Sequence, residues 1–343
     1  MNIPSQLTRR GFDLGEIPEQ TTTPTMPSVK TIQTAWENNQ AIDLPALIKP
    51  QLTDYQAHIA KAHQYMVNIL QGDAWEALLE KHTHSRLAPE FSCVAASIEE
   101  HDEQGIEKVY FDVEKDDAIL AEDLWCKASW LSFHDEDASL RFRFSFGMEG
   151  YEDVAADPER QYWAGELCER IFPESSIITQ NNTILDILSH ILGKKPDFVE
   201  RIVYFNAPNG GAQFHHDVER GHAGVVFAQL SGATFWLALD KQTLMDEIIL
   251  FAHSNPVSHA LQSLIQHRQA LSDAMEEPDH EAVENLIDQN RHFIQYLIQK
   301  GYSHRLEAGD VLLLPQRDLD SCVWHSVFTL GDMPGEALSF AVR

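Results

Sequence analysis

The chain has 343 residues, of which 43% are hydrophobic and 23% charged, so it can form one large soluble domain or two smaller ones. Its 25 basic and 53 acidic side chains give a formal net charge of −28, which argues against nucleic acid or an anionic membrane as the main partner. The four cysteines are widely spaced and form no CxxC pair, and residues 1–20 have no apolar signal core, so we expect reduced thiols, no disulfide framework or zinc ribbon, and a soluble cytoplasmic protein.

The first half of the chain contains a helical part followed by strands. Residues 1–30 include TTTPTMPS and predict a flexible arm, and residues 31–195 predict a helix-and-strand region that packs on a C-terminal core. Residues 54–81 have apolar side chains at helical spacing, whereas residues 107–147 alternate as strands around a predicted hairpin turn, HDEDA. In the last of these strands one face is apolar and the other carries two arginines: Leu140, Phe142, Phe144 and Phe146 against Arg141 and Arg143.

The second half predicts strands interrupted by helices. Residues 162–172 and 183–192 are predicted helices, and the strand FVERIVYFNA then leads into a Gly-rich loop. GVVFAQL and ATFWLAL are two further predicted strands, joined by a tight turn at Ser231-Gly232. Residues 241–300 predict an inserted helical hairpin, with helices over 257–275 and 281–300, that serves packing or dimerisation. The remaining strands lie in SHRLEAGDVLLLP, SCVWHSVFTL and ALSFAVR.

The sequence His215-His216-Asp217 leaves the Gly-rich loop and enters an apolar run. In a strand, residues two apart point to the same face, so His215 and Asp217 can bind one metal ion while His216 points away. His325, in the predicted strand VWHSVFT, is the natural second imidazole. Two histidines and one carboxylate on an open face suit non-haem Fe(II) enzymes that activate dioxygen.

The last two predicted strands suggest a basic partner for this site. If they form a hairpin with its turn near residues 333 and 334, antiparallel pairing places Arg343 opposite His325. A guanidinium beside the iron is suited to holding a carboxylate in bidentate fashion. Arg343 is therefore the predicted cosubstrate anchor.

These residues resemble a family. HHD, GDVLLLP, His325 and a terminal strand with Arg343 are similar to the Fe(II)/2-oxoglutarate-dependent oxygenases, over about residues 201–343. FHHD resembles phytanoyl-CoA-hydroxylase-like members, and FAQLSGATFWLAL resembles JmjC-type hydroxylases, although JmjC enzymes often have a lysine where this chain has Thr234. The interval from His325 to Arg343 is also longer than the family's usual one.

The resemblance implies an α+β protein with a double-stranded β-helix core, the cupin-like jelly roll, over residues 196–343. It implies His215, Asp217 and His325 as iron ligands and Fe(II) and 2-oxoglutarate as cofactors. The activity would be hydroxylation of a small-molecule or peptidyl substrate with release of succinate and carbon dioxide. Side chains that flank the loop or the strand after it are predicted to contact the cosubstrate: Tyr204, Asn206, Gln213 and Thr234.

Several alternatives stay open at this point. A cupin-type metalloenzyme without 2-oxoglutarate would share the ligands, and a non-catalytic jelly-roll protein would need no metal. His215 and Asp217 can also simply hydrogen-bond at a loop–strand junction, or a slipped register can present His216 with Glu219. His134 with Glu136 has similar spacing but lies in the predicted polar turn, and His222 and His304 are expected near the site or on the surface.

Overall fold

The structure is a computed structural model that describes residues 6–18, 24–70, 90–97, 105–131, 137–148, 154, 156–219, 221–278 and 280–343. In this part of the chain no helix combines the length and the apolar character needed to cross a membrane. The strands are β1 (Gln6–Arg9), β2 (Phe12–Glu16), β3 (Ile42–Leu44), β4 (Phe91–Ser97), β5 (Gly105–Lys115), β6 (Ala118–Trp130), β7 (Leu140–Phe146), β8 (Phe198–Asn206), β9 (Gly224–Gln229), β10 (Ala233–Asp240), β11 (Ser303–Glu307), β12 (Val311–Pro315), β13 (Val323–Leu330) and β14 (Gly335–Val342).

The helices lie in the N-terminal region and in an insertion between β10 and β11. Their bounds are α1 (Val29–Glu37), α2 (Leu52–Leu70), α3 (Pro158–Ile171), a 3-10 turn (Pro173–Ser175), α4 (Ser176–Thr179), α5 (Asn182–Leu192), α6 (Lys241–Ser254), α7 (His259–Leu264), α8 (Arg268–Glu276), α9 (Glu281–Ile287) and α10 (Arg291–Lys300). The sequence-predicted helix over residues 54–81 is described only to Leu70, and its remainder lies outside the described residues, as do residues 134–136 of the predicted turn.

The protein has an α+β fold built on a large antiparallel sheet, as the sequence predicts. Nine strands form this large sheet in the order β3-β12-β9-β14-β8-β7-β6-β5-β4, and a small sheet has the order β11-β10-β13. From Phe198 onward the chain alternates between the two: β8, β9, β12 and β14 belong to the large sheet and β10, β11 and β13 to the small one. An apolar cluster from both sheets, including Val225, Phe227, Trp236 and Leu314, lies between them.

The strands of the N-terminal region extend the large sheet, as the sequence suggests. β7 pairs with β8, placing Arg141 opposite Tyr204 and Phe142 opposite Val203. The four apolar side chains of β7 are all buried in the main core with α3, whereas Arg141 and Arg143 emerge on the other face. That face is the one turned toward the small sheet.

The predicted flexible arm contains an ordered hairpin. β1 and β2 pair with each other, and Leu7 and Leu14 are fully buried in a cluster with the inserted helices. Because residues 1–30 are mostly polar, their composition predicts an arm and does not reveal that Leu7 and Leu14 are buried.

The insertion differs from the predicted helical hairpin, because it consists of five helices, α6 to α10. Polar caps divide it: the Ser258 side chain accepts a hydrogen bond from the Leu261 N–H, and the Asn290 side chain accepts one from the Phe293 N–H. The Asn290 cap begins a new helix within the predicted helix 281–300, whereas the predicted helix 257–275 divides at His267, which makes no side-chain cap hydrogen bond.

From β8 onward, consecutive strands lie in opposite sheets at four junctions, two of which are β9–β10 and β13–β14. β9 and β10 are joined through Gly232, whose φ of 68° supplies the turn, but each pairs with other strands. β13 pairs with β10, and β14 pairs with β8 and β9. The terminal hairpin that places Arg343 opposite His325 is therefore not formed, because the chain crosses from one sheet to the other at residues 331–334.

A buried carboxyl pair on β14 predicts how stability depends on pH. Glu336 is fully buried within hydrogen-bonding reach of Glu174, and burial raises its pKa well above the usual range. Between the ordinary carboxyl pKa of about 4.3 and the higher folded-state pKa, unfolding releases a proton, so stability falls as pH rises. We expect Glu336→Gln to be more stable than the wild type by about 1 kcal/mol or more at pH 8, with the difference vanishing near pH 4.

Urea unfolding across this pH range measures the effect. Glu307→Gln, at an exposed carboxylate on β11, is the control and should leave the pH dependence unchanged. Equal pH dependence in Glu336→Gln and the wild type would contradict the prediction.

Candidate metal centre

The structure brings His215, Asp217 and His325 together. One ligand atom from each lies within 4.8 Å of the other two. The Nε2 of His215 is 3.7 Å from Asp217 Oδ1, and the Nε2 of His325 is 3.4 Å from Asp217 Oδ2. The carboxylate thus lies between two imidazole nitrogens, as a shared metal ion requires.

The backbone fixes the distance between the two histidines. The His215 N–H donates to the His325 carbonyl at 3.0 Å, and the His325 N–H donates to the His215 carbonyl at 2.8 Å. Each Nδ1 faces a main-chain carbonyl, Gln213 O at 2.7 Å for His215 and Val323 O at 3.4 Å for His325. A proton on Nδ1 leaves the Nε2 lone pair directed at the metal position, and such outer contacts orient metal-binding imidazoles.

Electrostatics keep both kinds of ligand in the form that binds metal. Burial, with His215 nearby, lowers the pKa of His325 to about 3, so its imidazole is neutral at pH 7. Burial alone would raise the pKa of Asp217, but the histidines, His325 first, lower it below its usual value. A neutral imidazole and a carboxylate are the states that coordinate a divalent ion.

A cavity of about 170 Å³ between the two sheets opens onto these ligands. Trp236 forms part of the wall contributed by the small sheet and stacks on His325, with 5.3 Å between the ring centroids and 29° between the planes. The large sheet contributes side chains from β7, β8 and β14: Arg141, Arg143, Glu200, Tyr204, Asn206 and Ser339. The metal position is therefore reached through a lined cavity.

Of the predicted cosubstrate residues, Tyr204 and Asn206 line this cavity. Asn206 is 4% exposed, and its Nδ2 has no hydrogen-bond partner among the described residues, so a donor is available there. Burial raises the pKa of Tyr204 far above its usual value, so its phenol stays protonated and is a hydrogen-bond donor.

Gln213 and Thr234 are engaged elsewhere. The Gln213 side chain donates to Glu284 at 2.6 Å and faces a second cavity beside α8 and α9. Thr234 is fully buried, donates to Gln229 and accepts from the Trp236 indole, each at 2.9 Å. Gln213 acts at the site only through its carbonyl, which orients His215.

Arg343 lies outside the cavity lining. Its Nε is 3.6 Å from Asp197, and its main-chain N–H donates to the Asp197 carbonyl at 3.1 Å, so the structure places it at the start of β8. Its predicted position depended on a β13–β14 hairpin that the crossing between sheets prevents.

Sequence reasoning missed Arg141 as a candidate anchor. Ala337, Tyr204 and Arg141 are directly opposite one another across β14, β8 and β7, so their side chains share one row of the sheet face that lines the cavity. Arg141 Nε donates to the Ser129 hydroxyl at 2.8 Å, which leaves both Nη groups available within the described part of the chain. The alternation of β7 had already put Arg141 opposite the buried face, but no motif marked that strand as part of the site.

The other histidines have separate environments. His216 points away from the triad and bonds to Glu276 at 2.8 Å, and His304 bonds to Asp43 at 2.8 Å. His222 lines the metal cavity and is only 6% exposed, so it belongs to the site and not to the surface.

A buried ion pair contacts the segments that carry His215 and His325. Arg9 of the N-terminal hairpin donates to Asp288 at 2.8 Å and to the Ala212 carbonyl at 2.7 Å, and it also hydrogen-bonds Ser326, the neighbour of His325. Asp288, between α9 and α10, accepts the N–H of Phe214, the neighbour of His215, at 2.8 Å. This network, Arg9 with Asp288, thereby holds the residues next to both histidine ligands.

No family model matches the chain, and no curated protein matches it. Among solved structures, an oxidoreductase of the 2OG-Fe(II) oxygenase family from Burkholderia pseudomallei is similar over 95% of this chain and 95% of its own, at 8% identity and a TM-score of 0.38. The ribosomal oxygenase YcfD from Escherichia coli is similar over 71% of this chain at 13% identity and a TM-score of 0.28, and its complex with cobalt and succinic acid matches at 12% and 0.27. The match spans only 40–41% of YcfD. These solved structures are all described as oxygenases.

Proposed function

We propose that the protein is an Fe(II)- and 2-oxoglutarate-dependent dioxygenase that hydroxylates a small-molecule or peptidyl substrate. The observation that carries this proposal is the convergence of His215, Asp217 and His325 on one point at the wall of a cavity. Two imidazoles and one carboxylate on one side leave the other side open, which suits iron that binds a cosubstrate and dioxygen. The alternation of β8 to β14 between two facing sheets supports the double-stranded β-helix that the sequence resemblance implies.

The chain's residues have distinct roles in this reaction. His215, Asp217 and His325 would hold the iron, which together with 2-oxoglutarate and dioxygen supplies the oxidising chemistry. Trp236 and Phe227, whose ring centroids are 4.6 Å apart, close the cavity wall beside His325 and exclude water. The protein thus positions the reacting groups, gives them access to the metal and excludes water at one wall of the cavity.

Arg141 is our proposed anchor for the far carboxylate of 2-oxoglutarate, with the Tyr204 hydroxyl as a second donor. Both side chains line the cavity, and the small Ala337 beside Tyr204 leaves space over that row of the sheet. A guanidinium and a phenol offer the charge-assisted hydrogen bonds that a carboxylate accepts. Arg343, in contrast, is ion-paired with Asp197.

Calorimetry of 2-oxoglutarate binding to the Mn(II)-loaded protein, with succinate formation by the Fe(II)-loaded protein, tests the function and the anchor together. We expect 2-oxoglutarate to bind only when metal is present, and one succinate to form for each 2-oxoglutarate consumed. Arg141→Met should weaken 2-oxoglutarate binding by roughly 10- to 100-fold, since hydrogen bonds to charged groups contribute about 1.5–3 kcal/mol. Arg343→Met is the matched control and should stay near the wild type.

If Arg343→Met weakened 2-oxoglutarate binding and Arg141→Met did not, Arg343 would be the anchor. Metal binding without any binding of 2-oxoglutarate would instead favour a cupin-type metalloenzyme that does not use this cosubstrate.

A further inference from the structure

One end of the metal cavity carries a polar cluster that the proposed roles do not use. It consists of Glu200, Glu219 and His222, and we call it the Glu200 cluster. One side-chain ligand atom of each lies within 4.8 Å of the other two, and all three residues line the cavity that holds Asp217 and His325. Glu200 starts β8, whereas the other two lie in the loop that follows Asp217.

His222 indicates that this cluster lacks a partner. The residue is 6% exposed, and although its ring lies close to the Asp217 backbone, neither ring nitrogen makes a well-aligned hydrogen bond to any described residue. Leaving a buried donor or acceptor unpaired costs roughly 1–3 kcal/mol. Because the ring faces two carboxylates across a cavity, a ligand group placed between them can satisfy the ring and the carboxylates together.

The charge of the cluster indicates which kind of group fits. Among the described residues near it, Arg143 faces both carboxylates, pairing with Glu200 and lying 3.5 Å from Glu219. Arg141 and Asp217 also act on Glu200, so two guanidiniums face three carboxylates and a net negative charge remains. Burial raises the pKa of Glu200 despite Arg143, and Glu219 and Asp217 raise it further, so this buried carboxylate is not fully compensated.

We propose that the Glu200 cluster binds a positively charged group of the substrate, an alkylammonium or a guanidinium, and thereby presents the adjacent part of that molecule to the metal centre. The place of reaction in this statement rests on the proposed function, whereas the binding of the cation does not. The cation would donate hydrogen bonds to Glu200, to Glu219 and to one nitrogen of His222, and neutralise the remaining charge.

A second metal ion is the competing occupant of the same three residues. Arg143 argues against it, because its guanidinium already contacts both carboxylates. A divalent ion would have to displace this tethered cation, whereas an ammonium or guanidinium can share the oxygens with it through hydrogen bonds.

Butylguanidinium and its neutral isostere N-butylurea test the proposal with the full-length protein. Saturation-transfer NMR in 0.15 M salt reports binding without requiring metal, so it remains informative if the proposed function fails. We expect a signal at least about fivefold stronger for butylguanidinium, since charge-assisted hydrogen bonds are roughly twice as strong as neutral ones. In the double variant Glu200→Gln/Glu219→Gln the two probes should become equal.

Glu281→Gln, at an exposed carboxylate on α9, controls for attraction to the acidic surface and should keep the wild-type preference. Relaxation of the probe by Mn(II) bound at the triad then places the cation in the cavity. Equal signals for the two probes in the wild type, or a preference that survives in the double variant, would overturn the proposal. So would two Mn(II) per chain with the second lost in His222→Ala, which would identify the cluster as a metal site.

Discussion

His325→Ala abolishes metal binding and succinate formation, whereas His216→Ala retains both: this is the result that we expect from the geometry of the triad. In the proposed site His325 is one of three ligands, and it is held by the backbone bridge to His215 and by the stack of its ring on Trp236. Loss of residues that only support a ligand weakens metal binding by about 10- to 100-fold, so loss of a ligand should exceed about 100-fold.

Mn(II) calorimetry on each variant measures this effect, and thermal unfolding shows whether the variant has folded. His325→Gln keeps more of the side-chain volume beside Trp236 and separates lost coordination from lost packing. His216→Ala is the control because this neighbouring histidine turns away and bonds to Glu276. If His216→Ala lost metal as completely as His325→Ala, the assignment of His215 and not His216 to the metal would be wrong.

The second large effect is expected at the Arg9–Asp288 network. Both side chains are 3% exposed, and burial lowers the pKa of Arg9 and raises that of Asp288. Each charge is thus held in the interior by the other, and removing one partner of such a pair typically costs about 3–5 kcal/mol. We expect this loss in Arg9→Met, measured by urea unfolding.

Metal affinity should fall in the same variant, because Arg9 hydrogen-bonds the Ala212 carbonyl and the Ser326 side chain and so fixes the segments that carry the two histidines. In the double variant Arg9→Met/Asp288→Asn the asparagine still accepts the Phe214 N–H without an unpaired charge, so part of the stability should return.

The exposed pair between Arg291 and Asp13, 2.6 Å apart, also joins the hairpin to the insertion and is the control. Arg291→Ala should cost less than about 1 kcal/mol. If Arg9→Met and Arg291→Ala lost similar amounts of stability, burial would not be the reason why the Arg9–Asp288 pair matters.

The local features of the site could be predicted from the sequence. Side-chain alternation put His215 and Asp217 on one face and His216 on the other, and it placed the arginines of β7 opposite a buried apolar face. For β7 the prediction depends only on residues two positions apart in a strand, where the period is fixed by backbone geometry. His215 and Asp217 share a face although the predicted entry strand is not formed: His215 makes an isolated bridge to His325, and Asp217 lies in a loop.

Features that depend on non-local pairing could not be predicted. Arg343 was expected beside His325 because consecutive strands usually pair, but here the chain crosses between sheets. Arg141 enters the cavity only because β7 extends the large sheet next to β8. Arg9 belonged to a segment whose composition is typical of a loose arm, and its partner Asp288 lies 279 positions away.

The same long separations have a consequence for how the protein is made. Arg9 reaches Ala212, Asp288 and Ser326, which lie 203, 279 and 317 positions further along the chain. During synthesis its guanidinium therefore lacks its carboxylate partner until Asp288 has left the ribosome. Non-local contacts of this kind form late, because loop closure must come before the interactions that repay it. Assembly of the His215, Asp217 and His325 triad would then be among the late steps of folding, and a chain truncated before Asp288 would not assemble the complete site.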